Sequence, residues 1–154
     1  MITLNQYVKR KNSVAIGNSK SFRYNMHRAF GAKNFSVFWQ HWNPIFSYYL
    51  GKWIFKPLKR FLSPALALGI TFVCFGLLHD LVGLLVKGST QFLFSFWFLF
   101  IGIFVLLSHG AKHNFMHKAW VYRALINCLL IAACFICGLT VSRWLHWEVS
   151  LDQL

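Results

Sequence analysis

A histidine and an aspartate stand side by side within the otherwise apolar residues 71–86 and could carry acid–base chemistry. Neutral imidazole is a competent general base because its pKa lies near the pH at which enzymes operate. If a helix begins near Pro64, His79 lies about 22 Å along it, inside the hydrocarbon zone of a bilayer. Ionisable residues at such depth are costly and are candidates for function. Two other interpretations stay open: a His79–Asp80 pair that satisfies its own hydrogen bonds, or a span that ends at Leu78.

Three further histidines, His109, His113 and His117, recur every four residues. On a helix they would share one face, and such a spacing can hold a metal ion. No carboxylate or cysteine is near them in the sequence, and the neighbouring lysines Lys112 and Lys118 oppose the binding of a cation. A solvated loop at headgroup level is therefore the favoured interpretation, and no metal site is predicted.

Other catalytic constellations are excluded or weak. The chain has only three acidic residues, which excludes chemistry by paired carboxylates. A Gly-rich phosphate loop and a G-x-S-x-G elbow are both absent from the sequence. Cys134 and Cys137 have the spacing of a redox pair, but their neighbours are apolar and a thiol in such surroundings is inert. No disulfide framework and no tightly bound cofactor are expected.

The elements that must position these side chains are apolar helices. Three stretches are long enough to cross a bilayer, which takes about 17–25 helical residues: 64–86, 91–108 and 124–142. The chain is 57% hydrophobic and 19% aromatic, which excludes disorder and argues against a nucleic-acid binder despite a net charge of +13. The sequence therefore predicts an all-α integral membrane protein whose partner is the lipid bilayer.

The basic residues are distributed unequally between the two sides of the predicted spans. Fourteen of the sixteen precede the first span or lie in the loop between the second and third, and Lys87 and Arg143 lie on the opposite side. The fourteen are Lys9, Arg10, Lys11, Lys20, Arg23, Arg28, Lys33, Lys52, Lys56, Lys59, Arg60, Lys112, Lys118 and Arg123. Because cytoplasmic flanks of spans are enriched in Lys and Arg, we predict a cytoplasmic N-terminus and an outside C-terminus.

The chain divides into a basic cytoplasmic segment, residues 1–33, and a membrane domain, residues 34–154. Residues 34–61 have an aromatic, amphipathic pattern typical of helices at the membrane interface. Asn43 followed by Pro44 predicts a helix N-cap and its first residue, so two short helices should meet there. Pro57 is expected to end the second of them. On this pattern alone His41 is an interfacial rather than a catalytic residue.

Two stretches together resemble the membrane-bound O-acyltransferases. Residues 34–43, NFSVFWQHWN, are similar to the F-W-x-x-W-[NH] segment of that family, and residues 49–58 resemble the aromatic Y-x-P-L stretch of its bacterial members. Residues 71–80, TFVCFGLLHD, are similar to the intramembrane G-L-W-H-G motif, with Leu78 in place of Trp and Asp80 in place of Gly. The likeness covers about residues 34–86, and the chain resembles the C-terminal catalytic half of the family, as a truncated or reduced member would.

The resemblance implies transfer of an acyl group from a thioester donor, acyl-CoA or an acyl carrier protein, to a hydroxyl of a cell-envelope polysaccharide or lipid. It implies a bacterial inner-membrane location, His79 as general base and Asn43 as its assistant. Substrate-binding roles are predicted for Trp39, His41, Trp42 and Asp80. Since family members have many spans, a second copy or another membrane subunit is expected to supply the missing helices. The alternative is a non-catalytic assembly partner or scaffold.

Overall fold

Eight helices and one π-helical turn follow one another along the described chain, with no strand among the described residues. The structure, a computed structural model, describes residues 2–111 and 114–151, with side chains as far as residue 145. Five helices are short: α1 (Leu4–Asn12), α2 (Ser21–Phe30), α3 (Phe35–His41), α4 (Pro44–Leu50) and, after the π-helical turn Gly51–Phe55, α5 (Lys56–Leu58). Three are long: α6 (Pro64–Lys87), α7 (Leu93–Gly110) and α8 (Trp120–Leu151).

The three long helices are each apolar and long enough to cross a membrane, α8 over its segment Trp120–Leu145. An all-α integral membrane protein, with the bilayer as its surroundings, is thereby confirmed. The third long helix, α8, extends beyond its predicted span 124–142 at both ends. Its first turn is held by Trp120, whose Nε1 donates to the His27 carbonyl at 2.9 Å. The predicted loop 109–123 is correspondingly shorter, because α8 begins at Trp120. A helix can continue past the hydrocarbon zone because its backbone hydrogen bonds are made within the helix.

Glycines let the long helices pack closely. A Cβ atom at Gly76 of α6 would stand 2.6 Å from the carbonyl oxygen of Phe94, and one at Gly138 of α8 would stand 2.8 Å from the backbone nitrogen of Trp97. Helix α7 is therefore held between α6 and α8 by direct contact of backbone with glycine, as is common between membrane helices. Phe75, Phe98 and the 0%-exposed Cys134 belong to the core between them.

Replacing Gly76 with alanine is expected to destabilise the protein by about 1–3 kcal/mol, because the backbone of α7 must move away from α6 to admit the methyl group. Gly69→Ala is the matched control, since a Cβ at Gly69 meets no atom within 4 Å. The measurement is the midpoint of unfolding in dodecyl sulfate, followed by circular dichroism. Equal midpoints for the two variants would contradict the packing argument.

The short helices gather at one end of the three long ones. We call this the basic end: it contains the start of α6, the end of α7 and the start of α8, and the opposite loop end contains residues 88–92. Helix α1 packs on α4, and α2 packs on α3 and α8. Residues 2–33 are therefore folded onto the membrane helices, and a capping box between Thr3 and Gln6 starts α1.

Residues 34–58 have the predicted cap, and their helical structure ends one residue after Pro57. Asn43 caps α4, its side chain accepts a hydrogen bond from the Phe46 N–H, and Pro44 is the first helical residue. The two short helices are thus confirmed. The prediction that Pro57 ends the second helix holds to within one residue, because the chain stays helical through the π-helical turn and α5 and the helix ends at Leu58. Proline is tolerated there because it lies in the first turn of α5, where an N–H is not needed.

Candidate functional site

Asp80 caps the N-terminus of the neighbouring helix α7. Its side chain is only 4% exposed. Oδ2 accepts hydrogen bonds from the N–H of Ser95 at 2.7 Å and from its hydroxyl at 2.6 Å, and Oδ1 accepts from the Phe94 N–H at 3.2 Å and the Thr90 hydroxyl at 3.4 Å. The first N–H groups of a helix have no partner within it and attract negative charge. The residue preceding α7, Phe92, makes no side-chain cap, so Asp80 supplies one from α6.

The carboxylate of Asp80 therefore has hydrogen-bond partners in α7, and the adjacent His79 is not one of them. Of the interpretations left open by the sequence, the self-satisfied His79–Asp80 pair does not form. The span does not end at Leu78 either, because α6 continues to Lys87. Substrate binding by Asp80 stays a prediction, and both carboxylate oxygens already accept hydrogen bonds from α7.

His79 has a fixed tautomer. Its Nδ1 lies 2.8 Å from the carbonyl oxygen of Phe75, one turn earlier in α6. A carbonyl oxygen can only accept, so Nδ1 carries the hydrogen and the neutral ring has its lone pair on Nε2. The half-buried ring packs against three phenylalanines, with centroids 4.5 Å from Phe75, 5.4 Å from Phe98 and 5.5 Å from Phe94.

The motif Gly76-x-x-His79-Asp80 acts as one unit. Gly76 and Asp80 are four residues apart and share a face of α6, and both contact the first turn of α7 at residues 94 and 95. This contact brings the rings of Phe94 and Phe98 against His79. The motif thus positions the histidine in an aromatic pocket through backbone contact and a charged cap.

A cavity of about 480 Å³ lies at the basic end, between α1, α3, α4, the π-helical turn, α6 and the end of α7. Its apolar lining includes Phe46, Leu50, Phe55, Leu68, Phe72, Phe75 and Val105. Three of the predicted site residues, Trp39, Trp42 and Asn43, line it as well. His41, His79 and Asp80 do not belong to its wall.

Phe75 separates the cavity from His79. Its ring lines the cavity and contacts the ring of Phe46 at 5.5 Å on one side, and it meets His79 edge-on on the other. The structure therefore does not bring the two predicted catalytic residues together: Asn43 faces the cavity, and His79 lies behind its floor. The Oδ1 atom of Asn43 accepts from the Phe46 N–H at 3.4 Å, so its remaining group for a ligand is the Nδ2 donor.

Two residues of α1 complete the wall of the cavity and were not predicted. Lys11 contributes a positive charge and Tyr7 a phenol ring, with Lys11 Nζ 5.9 Å from the centroid of that ring. No sequence signal marks Lys11 among the other lysines, because its place depends on how α1 packs on α4. His109, at the last turn of α7, also lines the cavity.

His109 and His117 do not lie on one helix. His109 lies in α7, His117 lies in a turn beyond its end, and His113 falls outside the described residues. Helix α7 ends at Gly110, so the four-residue spacing is not carried on one helix. Across residues 2–111 and 114–145, no three His, Cys, Asp or Glu side chains are grouped in a way that could hold a metal ion.

His41 lies beside the cavity in a cluster of cations. Burial, with the positive charges of Lys11 and Arg28, lowers the pKa of His41 below its ordinary value, and a hydrogen bond to the backbone of Lys11 opposes this shift. The Arg28 guanidinium also donates to the Lys11 carbonyl, at 2.8 Å. The Nδ1 atom of His41 is buried without a hydrogen-bond partner, so the neutral imidazole fits this place better than imidazolium does.

Acid is expected to destabilise the protein through His41. With a pKa lowered in the folded state, the unfolded chain binds more protons below about pH 6.5, so the unfolding free energy falls as the pH drops through that range. The measurement is the dodecyl sulfate midpoint at pH 7.5 and at pH 5. In His41→Gln, which cannot be protonated there, the loss between the two pH values should be smaller. An unchanged loss would assign the effect to other histidines.

Comparison of the chain with protein-family models, with curated proteins and with solved structures finds no match. The resemblance to membrane-bound O-acyltransferases therefore stays a prediction. The geometry at His79 and the cavity at the basic end are the features of the structure that bear on function.

Proposed function

We propose that the chain is a membrane-embedded O-acyltransferase, or a subunit of one, that transfers an acyl group from a thioester to a hydroxyl of a cell-envelope polysaccharide or lipid. The observation that carries the proposal is the hydrogen bond from His79 Nδ1 to the Phe75 carbonyl. It leaves the Nε2 lone pair of the neutral ring available as a base. A base held in one tautomer among three aromatic rings is suited to proton transfer away from bulk water.

The proposed reaction moves the acyl group from the sulfur of the thioester to the oxygen of the acceptor hydroxyl. His79 Nε2 takes the proton of the acceptor hydroxyl as its oxygen attacks the thioester carbonyl. The C–O ester bond forms, the C–S bond breaks, and the proton returns from His79 to the leaving thiolate. The Nδ2 donor of Asn43 would stabilise developing negative charge on the carbonyl oxygen. Since Phe75 stands between the cavity and His79, its ring must turn aside for a ligand to reach both.

The charge distribution supports the proposed orientation. The fourteen cations of one side support, by the positive-inside rule, a basic end that faces the cytoplasm and a C-terminus outside a bacterial inner membrane. A cytoplasmic donor would then enter the cavity from the side where it is made. Three long helices do not by themselves enclose a path across a bilayer, so a second copy or another membrane subunit would supply the remaining walls.

The proposal is tested on membranes that contain the full chain. They are incubated with radiolabelled acyl-CoA, and lipid and polysaccharide fractions are assayed for label that hydroxylamine releases, as it does from esters. We expect label in one hydroxyl-bearing fraction above the level of membranes without the protein. No gain of ester in either fraction, also after coexpression with its neighbouring membrane genes, would overturn the proposal.

A non-catalytic role as assembly partner or scaffold is the second candidate. The observation that favours it is Phe75, which closes the cavity before it reaches His79. In that case Asn43→Ala combined with His79→Asn would leave the function of the purified complex unchanged, whereas an enzyme would lose its activity.

A further inference from the structure

The cavity at the basic end has two chemically different parts. Its part along α6 is apolar, and Phe75 is the lining residue of that helix farthest from the basic end. Its part along α1 is lined by Lys11 and Tyr7, with Lys11 Nζ 5.9 Å from the centroid of the Tyr7 ring. Pockets of this kind bind ligands through apolar contacts, and a small number of polar groups fix the orientation.

Lys11 has no anionic partner in the described part of the chain. Asp80 is the only Asp or Glu whose side chain is described, and it caps α7 near the loop end, on the other half of α6. The lysine is half-buried, and burial together with the charge of Arg10 lowers its pKa. Arg28 and His41 lie close to the same stretch of α1. A half-buried ammonium group with guanidinium groups nearby favours the binding of an anion.

We infer that this cavity binds a single-chain amphiphile with an anionic head, whose head contacts Lys11 and whose chain extends to Phe75. Lys11 selects the charge of the head, and the Phe75 ring limits the length of chain that fits. The inference rests on the proposed function in taking this amphiphile as the acyl-bearing substrate, but it concerns binding, which is measured without turnover. A lipid of the inner leaflet and a soluble acyl thioester share this chemistry.

Photoaffinity labelling of the purified full chain in a neutral detergent tests the inference. The two probes carry a diazirine at the far end of the same alkyl chain, and their heads are a phosphate and its uncharged dimethyl ester. Labelling by the phosphate probe is expected to be half-maximal at a concentration about 10- to 100-fold lower, the range for one charge-assisted hydrogen bond. The labelled peptide should contain the cavity residues of α6. Equal labelling by both probes would overturn the inference.

Matched variants test separately the charge of Lys11 and the location of the binding site. Lys11→Gln should remove the preference for phosphate, whereas Lys9→Gln, a lysine exposed on the same helix and outside the cavity wall, should keep it. Gly51→Leu should abolish labelling by filling the cavity, because Gly51 lines it and a Cβ there meets no atom within 4 Å. Gly69→Leu, with equal free space but outside the wall, should label normally. Unchanged labelling in Gly51→Leu would contradict the site.

Competition of unlabelled amphiphiles with the phosphate probe measures the preferred alkyl-chain length and distinguishes a membrane lipid from a soluble thioester. Phe75→Leu should shift the preferred competitor to longer chains, and an unchanged preference would contradict the role of the ring. Lysophosphatidic acid and the acyl-CoA of the same chain distinguish a membrane lipid from a soluble thioester. Competition by either supports an anionic amphiphile, and competition by neither would overturn it. If binding persists in a protein without acyl transfer, the proposed function fails and the binding site stands.

Discussion

Acyl transfer is expected to fall by about 10²- to 10⁴-fold when His79 is replaced with asparagine, the range for loss of a general base. The amide nitrogen of asparagine stands close to the place of the imidazole Nδ1. It can therefore keep the hydrogen bond to the Phe75 carbonyl and the packing among the aromatic rings. What disappears is the basic atom at Nε2, so this substitution removes the chemistry with little change in structure.

The measurement is the initial rate of hydroxylamine-labile ester formation in membranes, normalised to the amount of folded protein. His117→Asn is the control, because that exposed histidine lies in a turn outside the cavity wall. Its rate should equal that of the wild type. A His79→Asn variant that retains the wild-type rate would show that the base is elsewhere or that the chain does not catalyse the step.

Features that depend on neighbouring residues could be predicted from the sequence. The three membrane helices follow from apolar length, and the start of α4 follows from Asn43 and Pro44, because a cap and its helix are adjacent in the chain. The π-helical turn Gly51–Phe55 that precedes Pro57 could not be predicted from composition. The same holds for the early start of α8, which depends on the contact of Trp120 with α2.

The candidate site was only partly predictable for the same physical reason. Trp39, Trp42 and Asn43 are close in sequence and do line one cavity. Lys11 joins them through the packing of α1 on α4, a contact between distant residues that no local pattern encodes. The role of Asp80 likewise needs the position of α7, so from the sequence its charge could be noticed but its partner could not be named.

Removing the carboxylate of Asp80 is expected to have the largest effect on stability. Asp80→Ala leaves the N–H groups of Phe94 and Ser95 without their acceptor in an apolar environment. A buried donor without a partner costs about 1–3 kcal/mol, so the loss for the two together should be about 2–6 kcal/mol. The dodecyl sulfate midpoint, compared with that of the wild type, measures it.

The controls separate the cap from the mere presence of a polar side chain. Thr90→Val removes the longest contact of the carboxylate, 3.4 Å, and an exposed hydrogen bond from the Phe92 N–H to the Thr90 hydroxyl at 3.2 Å, and should cost about 1 kcal/mol. Asp80→Asn keeps one acceptor oxygen and should fall between the two. Because the cap also holds the rings of Phe94 and Phe98 against His79, Asp80→Asn should lower acyl transfer even where most of the protein is folded. Equal midpoints for Asp80→Ala and Thr90→Val would mean that α7 does not depend on this carboxylate, and its position in the membrane would then need another explanation.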